Sequence, residues 1–192
     1  MTEPLYRRTL FIPTLAILFA LTLSAAARAQ SPAPHVPGEF CADLHGASAT
    51  DYYCTSSLLD GRWSRAYSVD HLFSNSNREA WVEGADGPGI GEWILIDFKE
   101  PRSVSAIILR NGYQKTPRLF ARNGRVKRFK VTMSNGESRN VDIKDMMDEQ
   151  TIPITPPVKV NWIKFVIDDV YPGSAHADTA VTKLWVTSGP AP

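Results

Sequence analysis

Among 192 residues there are only two cysteines, Cys41 and Cys54, and four histidines, His35, His45, His71 and His176, scattered without metal-ligand spacing. No Cys/His spacing here suits zinc. The chain also lacks a G-x-S-x-G elbow and an H-E-x-x-H pair, and neither cysteine sits in a catalytic context. No window sustains helical periodicity beyond about three turns. Charge of one sign is missing too. The formal net charge is +1, and without residues 1–29 it becomes −1, with 18 Lys+Arg against 19 Asp+Glu. Global charge therefore does not recruit nucleic acid or a membrane surface.

What is present begins with a leader. Arg7 and Arg8 form a basic region, Leu10 to Leu23 an apolar one, and Ala27-Arg28-Ala29 a small-residue cleavage site, which together read as a signal peptide over residues 1–29. The apolar run is short for a membrane span, so the mature chain is expected to be exported, periplasmic or secreted, and not inserted in the membrane. The residue at the cleavage point is Gln30 and not a cysteine, so no lipid anchor is expected. In an oxidising compartment a Cys41–Cys54 disulfide is the natural reading, the alternative being two free thiols in a partly ordered arm. Residues 30–38 are Pro-rich and read as a linker, 39–55 as a Cys-containing arm, 56–187 as one domain, and 188–192 as a tail.

The domain is organised around Ala80-Trp81-Val82-Glu83-Gly84 and Gly87-Pro88-Gly89-Ile90-Gly91-Glu92-Trp93, a shaped loop entering a strand. Because this loop precedes a strand and lacks G-x-G-x-x-G spacing, it is no phosphate cradle. Period-2 alternation follows in Ile94, Ile96 and Phe98, in Phe129, Val131 and Met133, and in Ile163, Phe165 and Ile167. Asn135-Gly136 predicts a hairpin, Pro156-Pro157 a strand end, and Ala180 to Thr187 a last strand. Short strands with this punctuation imply an all-β sandwich or jelly roll.

The motifs Ala80-Trp81-Val82-Glu83-Gly84, Gly89-Ile90-Gly91-Glu92-Trp93-Ile94, Asn111-Gly112-Tyr113-x-Lys115, Asn123-x-Arg125 and Val170-Tyr171-Pro172-Gly173, then Asp178-Thr179-Ala180, resemble the NADase-type glycan-binding domain. That family takes its name from the non-catalytic module attached to a streptococcal NAD glycohydrolase toxin. It is discoidin-like, related to factor V/VIII C-type and galactose-binding modules. The resemblance covers about residues 56–187 and implies a discoidin-like (galactose-binding-like) β-sandwich with jelly-roll topology and carbohydrate as partner. Related modules hold a structural calcium with an acidic loop and a glutamate in the last strand. Here those places read Ser74-Asn75-Ser76-Asn77 and Val181-Thr182-Lys183-Leu184. Either Lys183 takes the ion's place and donates to loop carbonyls, or it faces solvent on an edge strand; no metal and no cofactor is expected.

The candidate glycan-binding residues are Tyr113, Lys115, Tyr171, Asp178, Trp81, Glu83 and Arg125, on loops at one end of the sandwich. Tyrosine and tryptophan faces suit the C–H face of a sugar ring, carboxylates accept from hydroxyls, and Lys115 and Arg125 donate. Core packing competes for Trp81 and Trp93, loop packing for the tyrosines, and an internal anchor role for Arg125. Glu83 and Glu92 form a conceivable acid/base pair, but a structural role in a tight loop is the stronger reading, so no enzyme activity is expected. Arg110 to Lys130 holds eight basic residues and no acidic one. A solvated face, neutralised by Asp142, Asp145, Asp148 and Glu149, outweighs a nucleic-acid surface. The alternative function is a cell-envelope protein-interaction or structural module, recognisable by an extended apolar patch.

Overall fold

The computed structural model of the protein describes residues 31–35, 39–43, 51–61 and 66–188. The signal peptide, Gln30, residues 36–38 of the linker, His45 and residues 189–192 of the tail lie outside the described residues. Eight strands form the body: β1 Phe40–Asp43, β2 Tyr52–Thr55, β3 Trp81–Val82, β4 Trp93–Asn111, β5 Gly124–Met133, β6 Ser138–Asp142, β7 Glu149–Tyr171 and β8 Thr179–Thr187. A 3-10 turn at Val69–Phe73 and one short helix, α1 Pro117–Arg122, are added.

All the strands belong to one hydrogen-bonded path, β1-β2-β4-β7-β5-β8-β3, with β6 on β5 and an extra β4–β8 pairing. It closes on itself because β4 and β7 each pass from one layer to the other. Ile94 to Asp97 pairs with β2, and Trp93 to Asp97 with Trp162 to Val166 of β7. Ala106 to Arg110 pairs with Glu149 to Pro153 of β7 and with β8. The register shifts between Asp97/Arg102 and Val104/Ala106 fall where β4 changes layer. Pro156-Pro157 lies inside β7, not at a strand end as expected, because this stretch is where β7 crosses over and needs fewer ladder bonds. The Asn135-Gly136 hairpin is present, with Gly136 at φ 81° and the β5–β6 pairing on either side.

The two layers bury a continuous core that includes Trp81, Ile94, Ile96, Leu109, Phe129, Phe165 and Leu184. Phe129 and Phe165 meet edge to face at 5.7 Å. Leu95 and Trp93, on the opposite phase of β4, are buried as well, in a satellite cluster with Cys54 and Trp162. The expected linker supplies part of that cover: Ser31 bonds Ser134 and the Trp162 indole, and Ala33 packs on the cluster. The expected Cys-containing arm is likewise part of the sheet. β1 and β2 pair in register, Cys41 opposite Cys54, and the two form a disulfide.

Candidate functional site

Both halves of β4 and β7 end at one pole of the sandwich. Trp93 pairs with Val166 and Arg110 with Glu149, while Arg125 faces Tyr171 and Gly124 lies beside Thr179. The loops 83–92, 112–123, 143–148 and 172–178 therefore gather there. Their backbones are locked together: Gly124 donates to the Asp178 carbonyl, Ser174 to that of Ala121, and both Ala175 and His176 to that of Arg122. Helix α1 gives this joint its shape. Thr116 caps it by accepting from the Leu119 N–H at 3.1 Å, and Pro117 opens the first turn.

The seven expected residues fall into two groups. Trp81 has no exposed surface, lies in the core, and donates its indole N–H to the Ser57 carbonyl at 3.0 Å. Glu83 is equally buried, with Oε1 accepting from Thr179 N–H at 3.0 Å and Oε2 from Ala85 N–H at 2.8 Å. Arg125 is 8% exposed and forks onto Asp145 at 2.9 and 2.8 Å. It also reaches the carbonyls of Asn123 and Pro172 and stacks over Phe120. These three side chains are buried and bonded within the protein as internal anchors.

The second group stays at the surface. Lys115 is exposed and Asp178 half-buried. Tyr113 and Tyr171 are half-buried, their hydroxyls donating to the carbonyls of Arg78 and Ile143. Burial pushes the Tyr113 hydroxyl's pKa up. A depression of about 360 Å³ lies between Pro88 and the Pro172 to Ala177 loop. His176 on its rim meets the Arg122 guanidinium at 3.3 Å.

The Gly-rich stretch is a lid on Glu83. Gly89 sits at φ +73°, and a Cβ there would fall 2.5 Å from the Glu83 Cδ, so only glycine lets the backbone lie on that carboxyl. Desolvation pushes the Glu83 carboxyl above its ordinary pKa, partly opposed by its two backbone N–H donors. Glu92 turns elsewhere, accepting from Ser56 at 2.6 Å and from Ser57. Glu83 is thus engaged by backbone N–H groups and Glu92 by serine hydroxyls.

Four of the eight residues in the basic stretch are ion-paired: Arg110 with Glu149, Arg125 with Asp145, Lys127 with Asp169, and Arg128 with Asp142. His35, Glu39, Cys41 and Cys54 converge within 4.8 Å. The two sulfurs are bonded to each other, however, and offer no thiolate to a metal.

A second concavity, about 370 Å³, opens on the outer face of β4 and β8 and is lined by Phe73, Asn75, Ile108, Glu149, Lys183, Trp185 and Thr187. Here Lys183 donates to Glu149 Oε2 at 3.1 Å and to the Asn75 side-chain oxygen at 3.4 Å. Arg110 donates to the same carboxylate oxygen at 2.9 Å, to the Asn75 carbonyl at 3.2 Å and to Asn77 Oδ1 at 2.7 Å. Lys183 therefore does hold the Ser/Asn loop, but through a side-chain amide, and Arg110 takes the main-chain carbonyl. Sequence reasoning passed over Trp185, although its outward phase in β8, shared with Lys183 and Thr187, carried the signal.

Comparison with known proteins agrees with this architecture. An alpha-(1->3)-arabinofuranosyltransferase of Mycobacterium tuberculosis (strain ATCC 25618 / H37Rv) is 27% identical over 111 residues, 56% of this chain. The match spans 7% of that enzyme's length. The cryo-EM structure of a mycobacterial arabinofuranosyltransferase superposes with a TM-score of 0.54 at 18% identity, covering 73% of this chain and 11% of the other. A family 32 carbohydrate-binding module from C. perfringens, solved with galactose, superposes with a TM-score of 0.51 at 14% identity, covering 71% of this chain and 92% of the module. The NAD glycohydrolase translocation F5/8 type C domain family matches residues 45–187, and the chain belongs to it. The match begins ahead of β2, so Cys54 lies inside the family domain and Cys41 outside it.

Proposed function

We propose that this member of the NAD glycohydrolase translocation F5/8 type C domain family is an exported carbohydrate-binding module that recognises a glycan through the loop pole without catalysis. The observation that carries the reading is the depression between Pro88 and the Pro172 to Ala177 loop, on a pole whose backbone is fixed by cross-loop hydrogen bonds. Fixed backbone and a few convergent polar groups are what a small-ligand site requires. His176 lines the depression; Lys115, Asp178, Tyr113 and Tyr171, on the loops of the same pole, are the further side chains this reading assigns to the glycan, as charged groups and ring faces. Support also comes from the fold shared with a module solved with galactose and from the sugar chemistry named for the mycobacterial transferases. Export is supported by the leader and by the disulfide, which suits an oxidising compartment. Among the described residues no helix is long and apolar enough to cross a membrane.

The rival reading, a protein-interaction module, has one observation of its own. Ile90 at the tip of the Gly-rich loop is 54% exposed at the same pole. A glycan array probed with purified protein, with and without EDTA, separates the two. Saturable binding that survives EDTA and drops in K115A and H176A supports the glycan site. Folded protein that binds no glycan class, together with a partner whose capture is lost in I90D, supports the rival.

A further inference from the structure

We propose a second carbohydrate-binding site, on the outer face of the sheet, in the groove lined by Trp185 and bordered by Phe73, Asn75, Lys183 and Glu149, taking one sugar residue of a glycan chain. It rests on the carbohydrate reading above but uses none of the residues assigned there to ligand contact.

The indole is held by strand rather than loop. Trp185 pairs with Ile108 in the β4–β8 ladder, and its neighbours Leu184 and Val186 are buried in the core. The ring itself is only half-buried. Its N–H makes no hydrogen bond among the described residues, whereas the indoles of Trp81 and Trp162 both donate to carbonyls. A rigid, part-exposed aromatic face with an open donor at its edge stacks on the C–H face of a sugar and bonds a hydroxyl beside it.

The polar rim completes this chemistry. Both cations, Arg110 and Lys183, bind the same oxygen of Glu149, which orients the carboxylate and leaves Oε1 without a donor among the described residues. The Lys183 ammonium has three N–H groups, of which two are used. The groove thus offers a fixed acceptor, an ammonium donor and an indole donor around an aromatic face. That is a set for a polyol. A phosphate ligand is disfavoured by the Glu149 carboxylate, and the groove, bounded by the polar Asn75, Glu149, Lys183 and Thr187, is small for a protein partner. The volume, about 370 Å³, falls at the small end of ligand sites.

The Asn75 to Arg78 segment runs from the groove to Tyr113, one of the residues assigned to the loop-pole site above. Arg110 and Lys183 hold it at Asn75 and Asn77, and the Tyr113 hydroxyl holds it at the Arg78 carbonyl. One glycan chain engaging both sites gains from the raised effective concentration of its second contact.

The test is NMR on the uniformly ¹⁵N-labelled protein, whose five tryptophans give separate indole signals, with W185F assigning the one of interest. The probes are a galacto-oligosaccharide, a linear arabino-oligosaccharide and an oligogalacturonate. At least one is expected to shift the Trp185 indole signal saturably, and W185A is expected to weaken that oligosaccharide about tenfold. The K115A/H176A double variant should leave the Trp185 shift in place. A still Trp185 signal while loop-pole signals move overturns the groove and keeps the loop-pole reading. A Trp185 shift without any loop-pole shift supports the groove and removes that reading. No movement with any probe overturns both. W185F, which keeps a ring, distinguishes lost stacking from lost folding by retaining part of the affinity at an unchanged melting temperature.

Discussion

Replacing Glu83 with alanine should damage stability before it touches ligand binding. The carboxylate has no solvent exposure and accepts the N–H groups of Thr179 and Ala85. Thr179 is fully buried, so its N–H loses the Glu83 acceptor in the variant, a cost of about 1–3 kcal/mol. Ala85 is half-buried and water reaches it, so its loss counts for less. Relief of the carboxylate's desolvation offsets part of the damage. The net expectation is about 2 kcal/mol, or a fall in melting temperature of roughly 4–8 °C. Glu83→Gln keeps the acceptor for Thr179 but turns an amide donor toward Ala85, and about half the loss is expected. The pH dependence has a definite sign. The folded carboxyl's pKa is raised above its ordinary 4.5. Its contribution is therefore fully present below the unfolded value and falls away as pH rises through the raised folded value. Urea denaturation of wild type and variant across pH 4 to 8 should show the wild-type advantage largest at the acid end. An advantage that grows with pH, or a variant within about 0.5 kcal/mol of wild type throughout, refutes the anchor role.

Two further outcomes follow from the same structure. Reducing Cys41–Cys54, which spans 13 residues, or replacing both with serine, should cost about 3 kcal/mol on the chain-entropy scale, read as a lowered urea midpoint; an unchanged midpoint would mean the bridge does not constrain the unfolded chain. Millimolar calcium should leave the melting temperature where it was, since Arg110 and Lys183 already occupy the oxygens of the Asn75 to Asn77 loop, and a calcium-dependent rise would overturn that assignment.

The all-β architecture was legible because alternation reports burial directly. Ile94/Ile96/Phe98 and Ile163/Phe165/Ile167 each place one phase in the sandwich core, as found. Alternation failed where both faces are buried. Trp93 and Leu95 look outward-facing by phase, yet the N-terminal segment and Trp162 cover them, and a contact across 131 residues, such as Trp162 to Ser31, leaves no local mark. The length of β7 was hidden by Pro156-Pro157, since proline ends a central strand but is tolerated where a strand changes layer. Helix α1 escaped because six residues are too few for periodicity, although Thr116-Pro117 is a recognisable N-terminal signal.

The site was harder to read for a reason specific to this fold. A glutamate beside glycines looks the same in sequence whether it accepts a sugar hydroxyl or the backbone N–H groups of its own loop, because both uses need a charge where the chain turns sharply. Glu83 resolves to the second use only through Thr179, ninety-six positions away. Arg125 resolves likewise through Asp145 and the Pro172 carbonyl. The residues that make the pole rigid are thus the ones whose types most resemble ligand contacts, while the depression around Pro88 and Gly173 to Ala177 is built mostly of small residues, with His176 its one aromatic ring. Trp185 differs from Trp93 and Trp162, which lie on an outward phase and are nonetheless covered: it shares its phase of β8 with the half-buried Lys183 and Thr187 and stays part-exposed, so a use for it is to be sought at the surface.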